Sequence, residues 1–388
     1  MAPAGRLATG DPQPKDLMIT QLTVRNFRCL QDVTTTLGPF TVLIGANDTG
    51  KSSMLDAIHV LARTAREPLP ESLVPEGGVS ASPFEELVWQ RNVARSMVWR
   101  VQGESRGKRF AYELAVRAGP YVRFEKMPLH PVHLISATSN SRETRLRASL
   151  RTQAELGPLV TGFASVGKYR FDPRSLRKVA PIAVDPILST SGDNLAAALD
   201  ALLTGPDRAA IHGLESALRE AVPTFAGVGL RAVPTPSGIG KVVEFILSGT
   251  RPPVTVPAAN ASEGALLLTA FLALAYGATP EILLVEEPEN GLHPSRLEVV
   301  ISMLRRMSEG DIGGRPRQVI LTTHNPLILG YVKPEEVRIF RRDPEKGTEI
   351  TPLDAVPDLE RLRTLSAGDL WYFLTESGNI EPRRAGGM

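Results

Sequence analysis

Unbroken apolar runs alternate with helical periodicity near both ends of this chain. Three such runs are PFTVLIG at 39–45, EILLV at 281–285 and QVILTT at 318–323, and continuous apolar runs are typical of strands covered on both faces. The first run precedes KSSMLDAIHVLARTA, whose apolar positions 54, 55, 58 and 61 have helical spacing. The pattern therefore predicts an α/β fold with a mostly parallel sheet.

The segments between these runs have different patterns. Residues 96–126 place β-forming residues between glycine-containing turns, which predicts an antiparallel β subdomain, and VHLISAT near 132–138 predicts a further strand. Residues 141–235 are dominated by helix-like stretches and predict a helical insertion. We thus expect a flexible tail over 1–16 and one α/β domain assembled from residues 17–140 and 236–388.

Composition narrows the functional classes. The 388 residues are 42% hydrophobic and 22% charged, which excludes collagen-like and disordered chains. A net charge of +2 gives no global field for nucleic acid, and the single cysteine, Cys29, excludes an internal disulfide framework. The longest apolar run, 265–278, is too short to span a bilayer, so we expect a buried helix, no membrane partner and a cytoplasmic protein.

The loop after the first apolar strand has the spacing of a phosphate-binding P-loop. Its two glycines let successive backbone N–H groups point inward at phosphate oxygens, and the helix N-terminus adds a positive dipole. The lysine can reach the β- and γ-phosphates, and the hydroxyl of Ser52 can ligate Mg²⁺. The predicted nucleotide-binding residues are Gly45, Ala46, Asn47, Asp48, Thr49, Gly50, Lys51, Ser52 and Ser53.

Two acids, Glu286 and Glu287, follow the apolar strand 281–285. Ligands bind outside the carboxyl ends of parallel strands, so one carboxylate can hold Mg²⁺ while the other activates a water that attacks the γ-phosphate. The alternative is a pair of acids at an exposed strand end. Because the chain also has a P-loop, we predict that Glu286 is a metal ligand and Glu287 the catalytic base.

His324 ends the apolar strand VILTT in the same way. An imidazole there can hydrogen-bond the γ-phosphate, although a lone histidine is more often structural. Ser262 and Gly264 open the apolar helix, where Ser262 is either a simple N-cap or part of a second anion site. The residues alone favour neither role for Ser262.

These elements in this order resemble the ABC-type ATPases of the non-transporter branch, which includes RecF, the SMC proteins and the OLD-like AAA-family ATPases of bacteria. The resemblance is carried by NFRCLQDVTTTLGPFTVLIGANDTGKSS, LLVEEPENGLHP and VILTTHNPLIL, with weaker similarity in YRFDPRSL, SGDNLAAAL, VRIFRRD and SAGDLW. It implies a P-loop ABC-type head that uses ATP and Mg²⁺.

The resemblance also implies that two heads form a homodimer head to tail, with each ATP between one P-loop and the partner's signature helix. Ser262 and Gly264 would then bind the γ-phosphate held by the partner's Lys51, and Asn290 and His293 would lie at the seam. A glutamine ligand to Mg²⁺ is also implied. Gln90 is the first candidate and Gln102 remains possible.

The sequence departs from the family pattern in several places. Glu286 stands where aspartate is commoner, and the signature is Ala-Ser-Glu-Gly in place of Leu-Ser-Gly-Gly. OLD nucleases carry a Toprim nuclease domain after the ATPase, and the residues after His324 show no acidic cluster that follows an apolar strand. We therefore expect no nuclease activity in this chain.

A basic segment bears on nucleic-acid binding. Residues 141–180 hold nine basic and three acidic side chains, which can neutralise DNA phosphates but also suit a solvated face or a protein-docking surface. We favour the latter, and DNA remains a possible partner. The nine are Arg142, Arg145, Arg147, Arg151, Lys168, Arg170, Arg174, Arg177 and Lys178.

The leading hypothesis is an ATPase whose ATP-dependent dimerisation gates a separate effector protein, in phage defence or DNA repair by analogy. The alternative is a nucleotide-gated sensor or scaffold with little hydrolysis, motivated by Glu286 and the unusual signature. An ABC transporter subunit is disfavoured by the Asn-Phe-Arg start and the Pro-Glu-Asn-Gly-Leu-His-Pro loop.

Overall fold

A computed structural model describes residues 17–74, 80–119, 121–128, 133–137, 141–149, 157–184, 186–236, 238–343 and 345–356. The predicted tail over 1–16 and the phrase SAGDLW lie outside the described residues. The strands are β1 Met18–Phe27, β2 Leu30–Thr36, β3 Phe40–Ile44, β4 Met97–Ser105, β5 Lys108–Arg117, β6 Tyr121–Pro128, β7 His133–Ala137, β8 Val166–Tyr169, β9 Ala180–Pro181, β10 Phe225–Thr235, β11 Gly238–Leu247, β12 Thr255–Pro257, β13 Ile282–Glu286, β14 Gln318–Thr323, β15 Val337–Asp343 and β16 Gly347–Pro352. The α-helices are α1 Lys51–Arg63, α2 Leu69–Leu73, α3 Pro83–Leu87, α4 Arg145–Ser149, α5 Gly157–Ala164, α6 Pro173–Leu176, α7 Leu195–Thr204, α8 Arg208–Ala221, α9 Glu263–Tyr276 and α10 Pro294–Glu309.

The central sheet has the strand order β16-β15-β3-β14-β13-β8. All neighbouring strands in it are parallel except β15 and β16. The three apolar runs form β3, β13 and β14, which are adjacent, and this confirms the predicted mostly parallel sheet. Their carboxyl ends lie at one edge, where the P-loop, Glu286 and His324 follow.

Alternate side chains of the central strands enter two different hydrophobic cores. Val42 and Leu321 belong to one core and Leu43 and Ile320 to the other. The first core contains α9 and residues of α7, α8 and α10, while the second contains α1 and the antiparallel sheet. Both faces of the sheet are therefore covered, which explains the continuous apolar runs.

The antiparallel sheet has the order β2-β1-β4-β5-β6-β7 and confirms the predicted β subdomain. It packs near α1, because the indole of Trp99 on β4 donates a hydrogen bond to the carbonyl of Ala57 at 3.0 Å. The hairpin between β1 and β2 carries Arg28 and Cys29 to the first turns of α1.

The segment 141–235 contains the predicted helices α7 and α8, but it is more than a helical insertion. It contributes β8 to the edge of the central sheet, next to β13, and β10 to a separate sheet with β11. β8 is only four residues long and includes a glycine and a lysine, so no continuous apolar run announces it. The division of the chain into domains stays a prediction.

Across the described residues, none of the helices combines the length and the apolar character that crossing a bilayer requires.

Candidate functional site

The P-loop connects β3 to α1, and its two glycines are required by geometry. Gly50 has a φ of 103°, and a Cβ there would lie 2.4 Å from the hydroxyl oxygen of Thr348. At Gly45 a Cβ would lie 2.3 Å from the carbonyl oxygen of Phe340 on β15. Only glycine fits both positions, since one needs a left-handed backbone and the other a close approach to a neighbouring strand.

Lys51 begins α1 and is only 5% exposed. Its ammonium donates hydrogen bonds to the carbonyls of Gly45 at 2.8 Å and Ala46 at 2.7 Å, inside its own loop. Burial lowers the pKa of Lys51, while the charges of nearby carboxylates, Glu287 first, oppose that shift. Asn47 and Asp48 are exposed at the tip of the loop.

Ser52 and Ser53 lie in the first turn of α1 and contact different partners. The Ser52 hydroxyl donates to Glu286 Oε1 at 2.5 Å, whereas Ser53 Oγ accepts a 3.3 Å hydrogen bond from the Cys29 thiol. Glu286 is only 7% exposed at the end of β13. A hydroxyl and a carboxylate oxygen so close together suit Mg²⁺, which takes oxygen ligands. Two of the three predicted metal ligands, Ser52 and Glu286, therefore lie where they can share one ion.

Glu287 lies beside His324 and Asn290. Its Oε1 is 3.1 Å from His324 Nδ1, and its Oε2 accepts a 2.6 Å hydrogen bond from the Asn290 amide. Burial raises the pKa of Glu287, but the hydrogen bond from Asn290 and the interaction with His324 outweigh it, so the pKa is lowered overall. The carboxylate is therefore ionised near neutral pH, as a general base must be.

Glu289 is a further acid of this site that the sequence motifs did not single out. Its Oε1 accepts the Thr323 hydroxyl at 2.6 Å and the backbone N–H of His324 at 3.3 Å, while burial raises its pKa. It therefore anchors the backbone of the histidine. Glu289 is visible in the sequence as the third acid of EEPEN at 286–290. The sequence alone does not show which of these neighbouring acids is buried and which is exposed.

Gln90 is exposed at a φ of 54° in a short turn, and the adjacent Trp89 packs against Gly347, beside Cys29. Among the described residues, no contact joins Gln90 to Ser52 or Glu286, whose side chains contact each other. The role of Gln90 as a metal ligand stays a prediction. Gln102 is exposed on the antiparallel strand β4.

Ser262 and Gly264 lie apart from the P-loop group, at the start of α9. Ser262 is the N-cap, and its side chain accepts the backbone N–H of Ala265 at 3.3 Å. A Cβ on Gly264 would lie 3.8 Å from the carbonyl oxygen of Gly291, in the loop after Glu289. Ser262 is exposed, so this helix end faces outward.

Two basic residues that were not predicted as site residues, Lys168 on β8 and Arg170 in the loop after it, lie at the site. Lys168 Nζ lies 3.1 Å from Glu286 Oε2, and Arg170 lies 3.9 Å from Glu286 Oε1. Because β8 pairs with β13 in parallel register, with Lys168 opposite Leu284, both strands end at the same edge. In the sequence these side chains belong to a basic segment, because β8 has no apolar run that would predict a strand.

Other members of that basic segment also have local partners. Arg177 donates to the carbonyls of Ala258 and Ala261, and Arg147 and Lys178 form ion pairs with Glu143 and Asp193. Arg151 lies outside the described residues. Much of the segment's charge therefore serves internal contacts.

A protein family and several known proteins are similar to this chain. The family model described as "AAA domain, putative AbiEii toxin, Type IV TA system" matches residues 40–330. The OLD nuclease of Thermus scotoductus is 46% identical over 44 residues, which are 11% of this chain and 8% of that protein. The DNA replication and repair protein RecF of Acinetobacter baylyi is 30% identical over 97 residues, 23% of this chain and 27% of that protein. The chain thus spans well under half the length of these curated relatives.

Two solved structures share the fold. An SMC head bound to the C-winged helix domain of ScpA has a TM-score of 0.54 at 13% identity and covers 86% of this chain and 97% of its own. An SMC head with an extended coiled coil, bound to the C-terminal domain of ScpA derived from Pyrococcus furiosus, gives 0.54 at 13% identity with 89% and 100% covered. Since the family model matches residues 40–330, which are most of the chain, the chain belongs to this AAA-domain family, and its fold is that of an ABC-type P-loop ATPase head.

Proposed function

We propose that this chain binds ATP and Mg²⁺ at the P-loop and hydrolyses ATP with Glu287 as the base. The observation that carries the proposal is the cluster at one sheet edge, where Ser52 meets Glu286 and Glu287 meets His324. Four residues from three separate chain segments converge there, at the place where nucleotides bind to parallel sheets. Membership of an ATPase family supports the same activity.

The residues of the loop have distinct roles in binding. The backbone amides between Gly45 and Gly50 cradle the phosphates, and Lys51 exchanges its two carbonyl partners for phosphate oxygens. Ser52 and Glu286 would hold Mg²⁺, which would neutralise part of the phosphate charge when bound. His324, whose side chain is 42% exposed, can turn its ring toward the γ-phosphate while Glu289 holds its backbone.

The resting geometry of Glu287 implies a rearrangement before catalysis. Both of its carboxylate oxygens contact other side chains, namely His324 and Asn290. A base needs a free oxygen within hydrogen-bond reach of the attacking water. Asn290 is exposed in the loop after Glu287, so we propose that docking of a second head moves Asn290 and releases one oxygen.

We further propose that two heads dimerise head to tail around ATP and gate a separate effector. Support comes from the outward-facing N-terminus of α9, with Ser262 exposed beside the loop that carries Asn290. The similar SMC heads are bound to ScpA, and the relatives are named as an OLD nuclease and a replication and repair protein. These names favour phage defence or DNA repair, with DNA as a proposed stimulus.

Steady-state ATP hydrolysis of the wild type and Glu287→Gln, with and without linear duplex DNA, tests the proposal. We expect turnover to fall by about 10²–10⁴-fold in the variant, the usual contribution of a general base, while nucleotide binding is retained. Glu281→Gln is the matched control, because Glu281 precedes the same strand at its opposite end and pairs with Arg317. Full turnover in Glu287→Gln would exclude Glu287 as the base.

The sensor or scaffold is the second candidate. The two occupied oxygens of Glu287 and the lowered pKa favour it, because a carboxylate with a lowered pKa is a weaker base. It predicts nucleotide binding and dimerisation without phosphate release above the Glu287→Gln blank. Phosphate release that rises with DNA would instead support the ATPase and a DNA stimulus.

A further inference from the structure

Lys168 links the predicted magnesium ligand to a second acid. Its ammonium lies 3.1 Å from Glu286 Oε2 and 2.6 Å from Asp56 Oδ1, and the lysine side chain is only 15% exposed. Asp56, one helical turn after Ser52 on α1, also pairs with Arg28 from the β1–β2 hairpin. The result is a continuous ionic chain from Glu286 through Lys168 and Asp56 to Arg28.

The charges of this chain balance without any bound ion. Glu286 and Asp56 supply two negative charges, and Lys168 and Arg28 supply two positive ones, while Arg170 is a more distant cation that is 62% exposed. A buried carboxylate without a partner is costly, so Glu286 needs a cation in the nucleotide-free protein. Lys168 provides it at one oxygen while Ser52 occupies the other.

A divalent ion on Ser52 and Glu286 changes this balance. The ion and the Lys168 ammonium, which lies 3.1 Å from Glu286, would then share one carboxylate. Two positive charges at such short separation repel each other strongly in a partly buried site. The lysine has an alternative partner, because Asp56 already accepts from it. Its flexible stem lets the ammonium move fully onto Asp56 without leaving the site.

We propose that Lys168 is a positioning residue, a tethered cation that holds Glu286 in the nucleotide-free head and that Mg²⁺ must displace toward Asp56. The inference rests on the proposed ATP and Mg²⁺ binding. Lys168 thereby sets the concentration of Mg²⁺ at which the head accepts nucleotide. Asp56 is the acceptor that makes the displacement possible.

Equilibrium binding of a fluorescent methylanthraniloyl ADP, titrated with free Mg²⁺, measures this competition without turnover. Lys168→Met is expected to lower the half-saturating Mg²⁺ concentration by about tenfold, the factor that about 1.4 kcal/mol of relieved competition gives. Lys168→Arg keeps the charge and should restore a value near that of the wild type. Asp56→Asn removes the alternative acceptor and should raise the value by about threefold.

Lys241→Met is the matched control, because Lys241 of β11 forms a half-buried ion pair with Asp200 of α7, and neither residue belongs to the proposed Mg²⁺ site. It should leave the Mg²⁺ dependence unchanged, and melting temperatures of the nucleotide-free variants report any general loss of stability. If the half-saturating Mg²⁺ concentration of Lys168→Met is equal to or higher than that of the wild type, the inference about Lys168 is overturned while the proposed function still stands. A wild type whose nucleotide binding ignores Mg²⁺ overturns the proposed function as well.

Discussion

Two helix N-termini of this head, those of α1 and α9, are both considered as anion sites from the sequence but are built differently. At α1, Gly50 supplies no side-chain cap, and the buried Lys51 and Ser52 contact groups of the same chain. At α9, the Ser262 side chain caps its own helix and is exposed. The first end is complete within one chain, whereas the second presents its N–H groups outward.

This difference shows that the α1 half of the proposed nucleotide site is assembled from residues of a single chain. Acids, histidine and lysine converge on α1 because four central strands and their loops end there. The segment that leads into α9 is instead held by Arg177, which donates hydrogen bonds to the carbonyls of Ala258 and Ala261. A rigid outward surface of this kind suits contact with a second copy of the chain.

The largest expected effect tests whether the two ends meet between chains. Ser262→Arg and Lys51→Met should each reduce ATP turnover by at least about tenfold, since each removes one half of every composite site. Mixed at equal amounts, the two variants should recover about a quarter of the wild-type rate. In a symmetric head-to-tail dimer, half of the molecules are then mixed, and each mixed dimer has one intact site.

Steady-state phosphate release of the mixture against either variant alone makes the measurement. Ser262→Asn retains a capping side chain and controls for loss of the helix cap. If the mixture is no faster than the average of its components, the two helix ends do not meet across a dimer.

A smaller effect concerns the hydrogen bonds of Arg177 to the segment that precedes α9. Arg177→Met leaves the carbonyls of Pro173, Ala258 and Ala261 without their guanidinium donor, so we expect a loss of about 1–3 kcal/mol in unfolding free energy. We also expect weaker ATP-dependent dimerisation, measured by light scattering in a Glu287→Gln background.

Arg338→Met is the matched variant, because Arg338 makes the same kind of carbonyl contacts, to Thr36, Glu335 and Val337, between the central and antiparallel sheets. It should lose similar stability in thermal melts but dimerise normally with ATP. Equal loss of dimerisation in both variants would mean that Arg177 acts through global stability only.

The smallest expected effect is a pair of opposite pH dependences within the α1 site. The pKa of Glu287 is lowered on folding, so its stabilisation is present above the ordinary glutamate pKa of about 4.3 and is lost as pH falls through the lower, folded value. Burial raises the pKa of Glu289, so its contribution is present below about 4.3 and is lost as pH rises through the higher value.

Thermal melts of the wild type, Glu287→Gln and Glu289→Gln between about pH 7 and about pH 3 measure the pH dependence of both contributions, since the loss at Glu287 begins only below about pH 4.3. The difference between the wild type and Glu287→Gln should shrink on acidification, and that between the wild type and Glu289→Gln should grow, by about 2 °C or less. Parallel trends in the two variants would contradict the opposite environments of these carboxylates.

Several features of the fold follow directly from sequence patterns. The apolar runs become β3, β13 and β14, and the helical spacing after Gly50 becomes α1. The two glycines of the P-loop are required by backbone geometry, and glycine is visible in the sequence. The positions of Lys51, Glu286, Glu287 and His324 were predictable because each lies at an end of such an element or directly after it, while their chemical roles stay predictions.

Features that depend on long-range pairing were not predictable in this way. β8 has no apolar run, so its place beside β13 and the contact of Lys168 with Glu286 were missed. Gln90 has the residue type expected of a metal ligand, but among the described residues no contact joins it to Ser52 or Glu286. The basic segment was interpreted as a solvated or protein-docking face in preference to a DNA surface, whereas Arg177 donates to the backbone carbonyls of Ala258 and Ala261.

By itself, the sequence determined the three apolar strands β3, β13 and β14, the P-loop and the identity of the acids at the strand ends, because these depend on periodicity and on residues adjacent in the chain. Tertiary structure alone decided which side chains share a carboxylate. Glu286 receives Ser52 from 234 residues away and Lys168 from a neighbouring strand. Such contacts depend on strand order and register, which pack distant segments together and leave no periodic trace in the chain.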